Sequence, residues 1–185
     1  ARGELITMTG RRTRHDALAL LHEDHVRLVK LFTRIGRGAS VEEEARRLTE
    51  QACRELETHA QLEEELFYPA VRHELADRAC LEEGAVEHST IDVLVEELRS
   101  RSPKESRFLA TARVLAEHLG HHLTKEEQRI FREVRRAPLD LAGLGEQLRR
   151  RRDEIAAQRF AVPPRGAYAG RPARQPARYP GCAPF

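Results

Sequence analysis

No apolar run in the 185 residues approaches the roughly 20 needed to cross a bilayer, and 34% of the residues are charged. A membrane protein is excluded on this reading. The first fourteen residues carry Arg2, Arg11, Arg12 and Arg14 without the apolar segment of a secretory signal. Cysteine is scarce: Cys53, Cys80 and Cys182 are odd in number, far apart and form no C-x-x-C pair. That argues against a disulfide framework and a thiolate zinc site, makes Cys53 and Cys80 small buried hydrophobes, and points to a reducing cytoplasm. Also missing is any histidine with a glutamate three residues before it, the spacing of ferritin-like iron-storage sites.

A large excess of either charge is absent too, since 32 Lys and Arg face 30 Asp and Glu. The near balance hides a division. Eight arginines against Glu4 alone lie in residues 1–14 and 161–185, which leaves residues 15–160 at about −5. An acidic body is a poor surface for nucleic acid. Six of the nine prolines fall after Val162, in a stretch with no helical or strand period, read as a flexible tail over 161–185.

Between these termini Leu, Ala, Glu and Arg run long, with breaks at Gly36 and Gly38, Gly84, Pro103 and Pro138. These residues favour helix, and the expected class is all-α. One apolar seam of helical period runs Leu18, Leu21, His25, Leu28, Phe32, Ile35. A second follows Ser40, read as an N-cap with Glu43 three residues on, and runs Ala45, Leu48, Ala52, Leu56, His59, Glu63, Leu66, Ala70. A third runs Leu81, Ala85, His88, Ile91, Val95, Leu98, and a fourth Phe108, Ala112, Leu115, Leu119, His122, Glu126, Ile130. A fifth helical stretch, about Asp140 to Gln158, has Leu141, Leu144, Leu148 and Ile155 as its apolar edge. The expected architecture is an up-down-up-down antiparallel four-helix bundle. An N-terminal arm (1–14) precedes the bundle (15–135), and an additional helix (136–160) and the tail (161–185) follow it.

An offset of 63 residues maps His25 to His88, His59 to His122 and Glu63 to Glu126, together with Leu28 to Ile91, Ile35 to Leu98 and Leu56 to Leu119. In H-x-x-x-E the two side chains are one turn apart on one helix face, so His59/Glu63 and His122/Glu126 each aim at one interior point. Four imidazoles and two carboxylates would converge there. Left unpaired they would each cost several kcal/mol, whereas a cation satisfies their lone pairs together. Six ligands exceed one tetrahedral zinc shell. A carboxylate from each half suits two octahedral ions, and nitrogen and oxygen donors without thiolate favour iron, with manganese or zinc as substitutes. Asp92, four residues after His88, is read as a further ligand or as an acceptor for a ligand's ring N–H, because its repeat partner Val29 is apolar. His22 could line the site, while His15, His118 and His121 read as solvated or as outer partners of the ligands, and His73/Asp77 as a surface pair.

The segments HEDHVRL, HAQLEEELFYPAV, EHSTIDVL and HHLTKEEQRIF resemble the four ligand-bearing helices of the hemerythrin-like (HHE cation-binding) domain, over about residues 15–135. The resemblance implies two oxo- or hydroxo-bridged non-haem irons held by His25, His59, Glu63, His88, His122 and Glu126. Hemerythrin itself has a second histidine where this chain has Asp92, and H-x-x-x-x-D where the last helix here has H-x-x-x-E. The small molecules expected at such a centre are O2, H2O2 or NO. An acid at the open iron, Asp92 or Glu127, favours peroxide decomposition with Asp92 as its catalytic group, and an apolar pocket favours reversible O2 or NO binding or sensing. The family's iron–sulfur-repair members carry a separate cysteine-bearing domain, and this chain has no segment of that kind. A stand-alone cytoplasmic protein is expected.

Overall fold

A computed structural model describes residues 16–38 and 41–161, with side chains to Arg159. The predicted arm, the tail beyond Ala161, Ser40 and His15 lie outside the described residues. Five helices and no strand make up the rest: α1 (Ala17–Gly36), α2 (Glu42–Leu62), α3 (Ala79–Arg99), α4 (Ser106–Glu126) and α5 (Leu141–Ala161). Asp16 opens α1 by accepting a 2.8 Å hydrogen bond from the Ala19 N–H, which satisfies one of the helix's orphan donors. The capping expectation for α2 fails. Its cap residue is Val41, in extended backbone and without a side-chain bond, so the three glutamates of the first turn are left to complement the helix N-terminus.

Both α2 and α4 continue past these bounds through a π-helical turn. Glu63–Phe67 links α2 to a last turn at Tyr68–Val71, and Glu127–Phe131 links α4 to Arg132–Val134. In the first, the Tyr68 N–H donates to the Glu63 carbonyl five residues back. The extra residue per turn rotates everything beyond it. The expected seam positions Leu66 and Ala70 are consequently only partly buried, and Phe67, Tyr68 and Val71 take the core instead.

Ion pairs between neighbouring helices join the end of one to the start of the next. Arg34 meets Glu44 at 2.6 Å, Arg72 meets Glu82 at 2.8 Å, and Arg107 meets Glu97 at 2.8 Å. The same pairs of helices meet again further along, at His25 and His59, at Glu50 and Arg99, and at His88 and His122, so each pair runs antiparallel. α1 packs on α2 and α4, α3 on α4 and α2, and α5 lies across α1 and α2. Leu144, Leu148 and Ile155 seat α5 in the core, and Arg151 ties it to Glu65 at 2.7 Å.

Two apolar clusters fill the bundle. One holds Leu21, Leu62, Phe67, Tyr68, Phe131 and the α5 leucines; the other holds Leu28, Phe32, Leu56, Ile91, Leu115 and Leu119. At or beside the point on each helix where one cluster gives way to the other stand the buried polar residues Asp24, His25, His59, Glu63, His88, His122 and Glu126. Dry packing on both sides lowers the local dielectric, so a charge in this layer must find a partner within it.

Candidate metal centre

All six expected ligands are buried and meet. His25 on α1 and His59 on α2 face each other with ring centroids 4.9 Å apart, as do His88 on α3 and His122 on α4 at 4.6 Å. Glu63 lies between the two pairs. Its Oε1 is 3.0 Å from His59 Nε2 and 3.9 Å from His25 Nε2, while its Oε2 is 3.3 Å from His88 Nε2. Glu126 Oε2 approaches His25 Nε2 at 3.3 Å, and the His88 and His122 Nε2 atoms are 3.1 Å apart. The potential donors sort into two sets that share Glu63: His25, His59, Glu63 and Glu126, and Glu63, His88 and His122.

Crowded as they are, both oxygens of Glu63 and of Glu126, and the Nε2 atoms of His25 and His59, have no hydrogen bond of good geometry. Leaving buried polar atoms so costs about 1–3 kcal/mol each, more for charged groups. Cations coordinated by these nitrogen and oxygen atoms would satisfy them together, so the residues fit a metal centre. The protein's own charges reveal the same frustration. Burial opposes charge on His25, yet Glu126 and Glu63 outweigh it and lift its pKa to about 10. Burial likewise opposes charge on His88, but Glu63 and Glu64 raise it to about 10. Burial and the His88 charge push His122 down to about 4, so His88 donates its Nε2–H to His122. Burial and the charge of Glu63 raise Glu126 to about 7. Neighbouring carboxylates therefore do not share one charge state.

Every inward-facing histidine has an acid at its outer nitrogen. His25 Nδ1 donates to Glu127 at 2.7 Å, His88 Nδ1 to Glu64 at 2.9 Å and His122 Nδ1 to Glu87 at 2.8 Å, while His59 Nδ1 lies 3.6 Å from Asp24. The three hydrogen bonds hold the Nδ1–H of His25, His88 and His122 outward, turn their Nε2 atoms to the interior and raise the rings' basicity, whereas His59 Nδ1 has no hydrogen bond of good geometry. Three of these four acids were not singled out in the sequence, although the signal was available. The 63-residue offset maps Asp24 to Glu87 and Glu64 to Glu127. It also maps Tyr68 to Phe131, and Tyr68 stacks on His88 while Phe131 stacks on His25. The halves differ in detail. A Cβ on Gly84 would approach the Tyr68 hydroxyl to 3.0 Å, and the equivalents are Leu21 and the hydroxyl-free Phe131.

Asp92 is half-buried on α3 and joins neither donor set. The inference from Val29 fails because Val29 is 45% exposed, so its position is not a core one in either half. The acid beside the interior is Glu127, which accepts from the exposed His22 at 2.9 Å as well as from His25. His22, His25 and Glu127 form a third group of potential donors. His118 and His121 are exposed as expected; Asp77 pairs with Arg129, at 2.7 Å, from its surface position. Cys53 and Cys80 are buried free thiols. Among the described residues no helix is long and apolar enough to cross a membrane.

A family model described as Hemerythrin HHE cation binding domain matches residues 16–134. The crystal structure of a hemerythrin HHE cation-binding domain-containing protein from Mycobacterium kansasii superposes with a TM-score of 0.68 at 22% identity, covering 79% of this chain and 90% of that one. At that identity the likeness establishes the shared helical fold. Among curated proteins nothing matches the chain.

Proposed function

Because the chain belongs to the hemerythrin HHE cation-binding domain family, we propose that it holds two iron ions in the buried His/Glu layer and decomposes hydrogen peroxide there. The observation that carries the dinuclear reading is Glu63, whose two oxygens face different histidine sets. His25, His59, Glu63 and Glu126 would serve one ion, and Glu63, His88 and His122 the other. Manganese or zinc would suit the same donors as substitutes. Bound iron would supply redox change and a position for a small oxygen species.

In the decomposition, two hydrogen peroxide molecules yield one dioxygen and two waters. One peroxide loses two electrons and two protons, and the other gains them. The protons released by one peroxide must therefore reach the other inside a site walled by Phe131, Tyr68 and the aliphatic core. Glu127, hydrogen-bonded to the half-exposed His22 and to His25 Nδ1, is the acid at the edge of the donor set that would hold a proton between the two half-reactions, and its bonds to His22 and His25 outweigh burial to keep it below the usual carboxylate range. An acid in that place favours turnover over carriage, and it moves the acid's role from Asp92 toward Glu127.

The second reading is reversible O2 or NO binding without turnover, favoured by the apolar clusters on both sides of the polar layer. Free buried thiols in both readings suit a reducing cytoplasm. Anaerobic reconstitution with ferrous iron, followed by separate additions of H2O2, O2 and NO, tests the choice. Sustained dioxygen release from H2O2 supports the enzyme. Repeated reversible O2 spectra without peroxide loss support the binding module.

A further inference from the structure

A cleft of about 670 Å³ lies between α5 and the α1–α2 pair. Arg27, Arg54, Arg152 and Arg159 line it, against the carboxylates of Asp24 and Glu55. We propose that this cleft binds a small organic oxyanion, with its charged head on Arg54 and Arg159 and its apolar body against Leu28 and Ala156.

The walls are built for that chemistry. Arg159 is fixed by donating to the Arg54 carbonyl at 2.9 Å and to the Thr58 hydroxyl at 3.0 Å, with Glu57 at 3.3 Å. Its guanidinium is thereby placed beside the Arg54 backbone rather than swinging in solvent. Arg54 meets Glu50 at 3.0 Å through one of its nitrogens, and a guanidinium presents five N–H donors in a planar fork. Arg159 spends both terminal nitrogens on the Arg54 carbonyl, Thr58 and Glu57, so Arg54 supplies the planar fork that matches a phosphate or carboxylate, as a lysine point charge would not, and Arg159 the fixed charge beside it. Exposed Ala156 on α5 adds apolar surface with buried Leu28 packed behind the wall, and the volume lies in the range of small-molecule sites.

The floor of the cleft gives the site its interest. It is made by Asp24 and His59, and Asp24 is held by Arg27 and Arg152. A bound oxyanion would therefore lie one residue from a side chain of the buried polar layer, on its outer side. Binding itself needs no metal, so its failure and a failure of the metal reading are separate results, the first seen by calorimetry and the second by elemental analysis.

The test is titration calorimetry on the purified full chain, at about 0.15 M salt to screen diffuse attraction. Phenyl phosphate and benzoate are the two probes, and their comparison distinguishes a phosphate from a carboxylate head. Saturable binding of either probe at one site per chain is expected. Ala156→Trp, which fills the cleft from an exposed position and leaves every arginine in place, should weaken it about tenfold or more. The double variant Arg54→Gln/Arg159→Gln should do the same. Absence of saturable binding by both probes, or wild-type affinity in Ala156→Trp, overturns the proposal.

Discussion

Asp24 stands 3.6 Å from His59 Nδ1, whereas Glu87, its equivalent 63 residues on, accepts from His122 Nδ1 at 2.8 Å. The difference has a visible cause. Asp24 is one methylene shorter and is shared with Arg27 and Arg152, while Glu87 shares its other oxygen with Lys125 at 2.8 Å. The two halves thus solve the same problem with unequal grip: Glu87 holds the His122 ring through a hydrogen bond, and Asp24 faces the His59 ring by charge alone.

Removing either orienting charge should weaken metal binding without dismantling the bundle. Asp24→Asn and Glu87→Gln are each expected to lower metal affinity by about 10–100-fold, as losses of such outer partners do. Competition with a chromophoric chelator measures this. Wild-type affinity in both variants would mean the acids are structural ion-pair partners only.

Loss of a ligand itself should reach stability. His59→Ala or His122→Ala is expected to lose at least one metal per chain and to lower the melting temperature markedly, because binding free energy is also folding free energy. Elemental analysis and thermal melts with and without added chelator are the checks. A variant that melts as the wild type does under both conditions would contradict the expectation.

The pH dependence should reverse with metal. In chelated protein the raised pKa values of His25 and His88, about 10 each, mean that their contacts with carboxylates stabilise fully below the ordinary histidine value of about 6.5. That contribution is lost as pH rises through about 10. In loaded protein protons compete with the cation for the same nitrogens, so metal affinity rises with pH. Melting curves from about pH 6 to 10 should therefore show the gap between loaded and chelated protein widening upward. A constant gap would mean that these histidines do not exchange protons for metal.

Much of this arrangement was legible in the sequence. The seams located the helices because apolar spacing at 3 and 4 is what a one-sided helix needs, and the 63-residue offset brought His25, His59, Glu63, His88, His122 and Glu126 to one interior layer. Two things were hidden for physical reasons. The π-helical turns after Glu63 and Glu126 shift the buried face by one residue, and a constant period cannot reveal where a helix adds one, so Phe67 and Tyr68 were passed over for Leu66 and Ala70. Asp92 looked inward because it is four residues from His88, the spacing that buries Glu63 after His59 and Glu126 after His122, yet on α3 that position is only half-buried, and spacing alone does not tell which side of His88 turns to the core. Glu64, Glu87 and Asp24 stand in an acid-rich chain, where the 63-residue offset that pairs Asp24 with Glu87 and Glu64 with Glu127 was the available signal, and their cross-helix distances to ring nitrogens single them out.

The acid that matters for turnover can be tested directly. Glu127→Gln keeps the shape of the His22–Glu127–His25 contacts but removes the charge that moves protons. Peroxide decomposition per bound iron should fall by about tenfold or more, a larger loss than in Asp92→Asn. Oxygen-electrode rates normalised to iron content read the comparison. The reverse order would return the role to Asp92, and equal full turnover in both would remove acid assistance from the account.

Metal stoichiometry bears most directly on the central claim that Glu63 joins two donor sets into one dinuclear centre. Elemental analysis of the full chain, purified and then reconstituted anaerobically with ferrous iron, should find two irons per chain, and Glu63→Gln should retain fewer than two. A wild-type protein that saturates at one ion, or that takes up no iron, manganese or zinc, would contradict it.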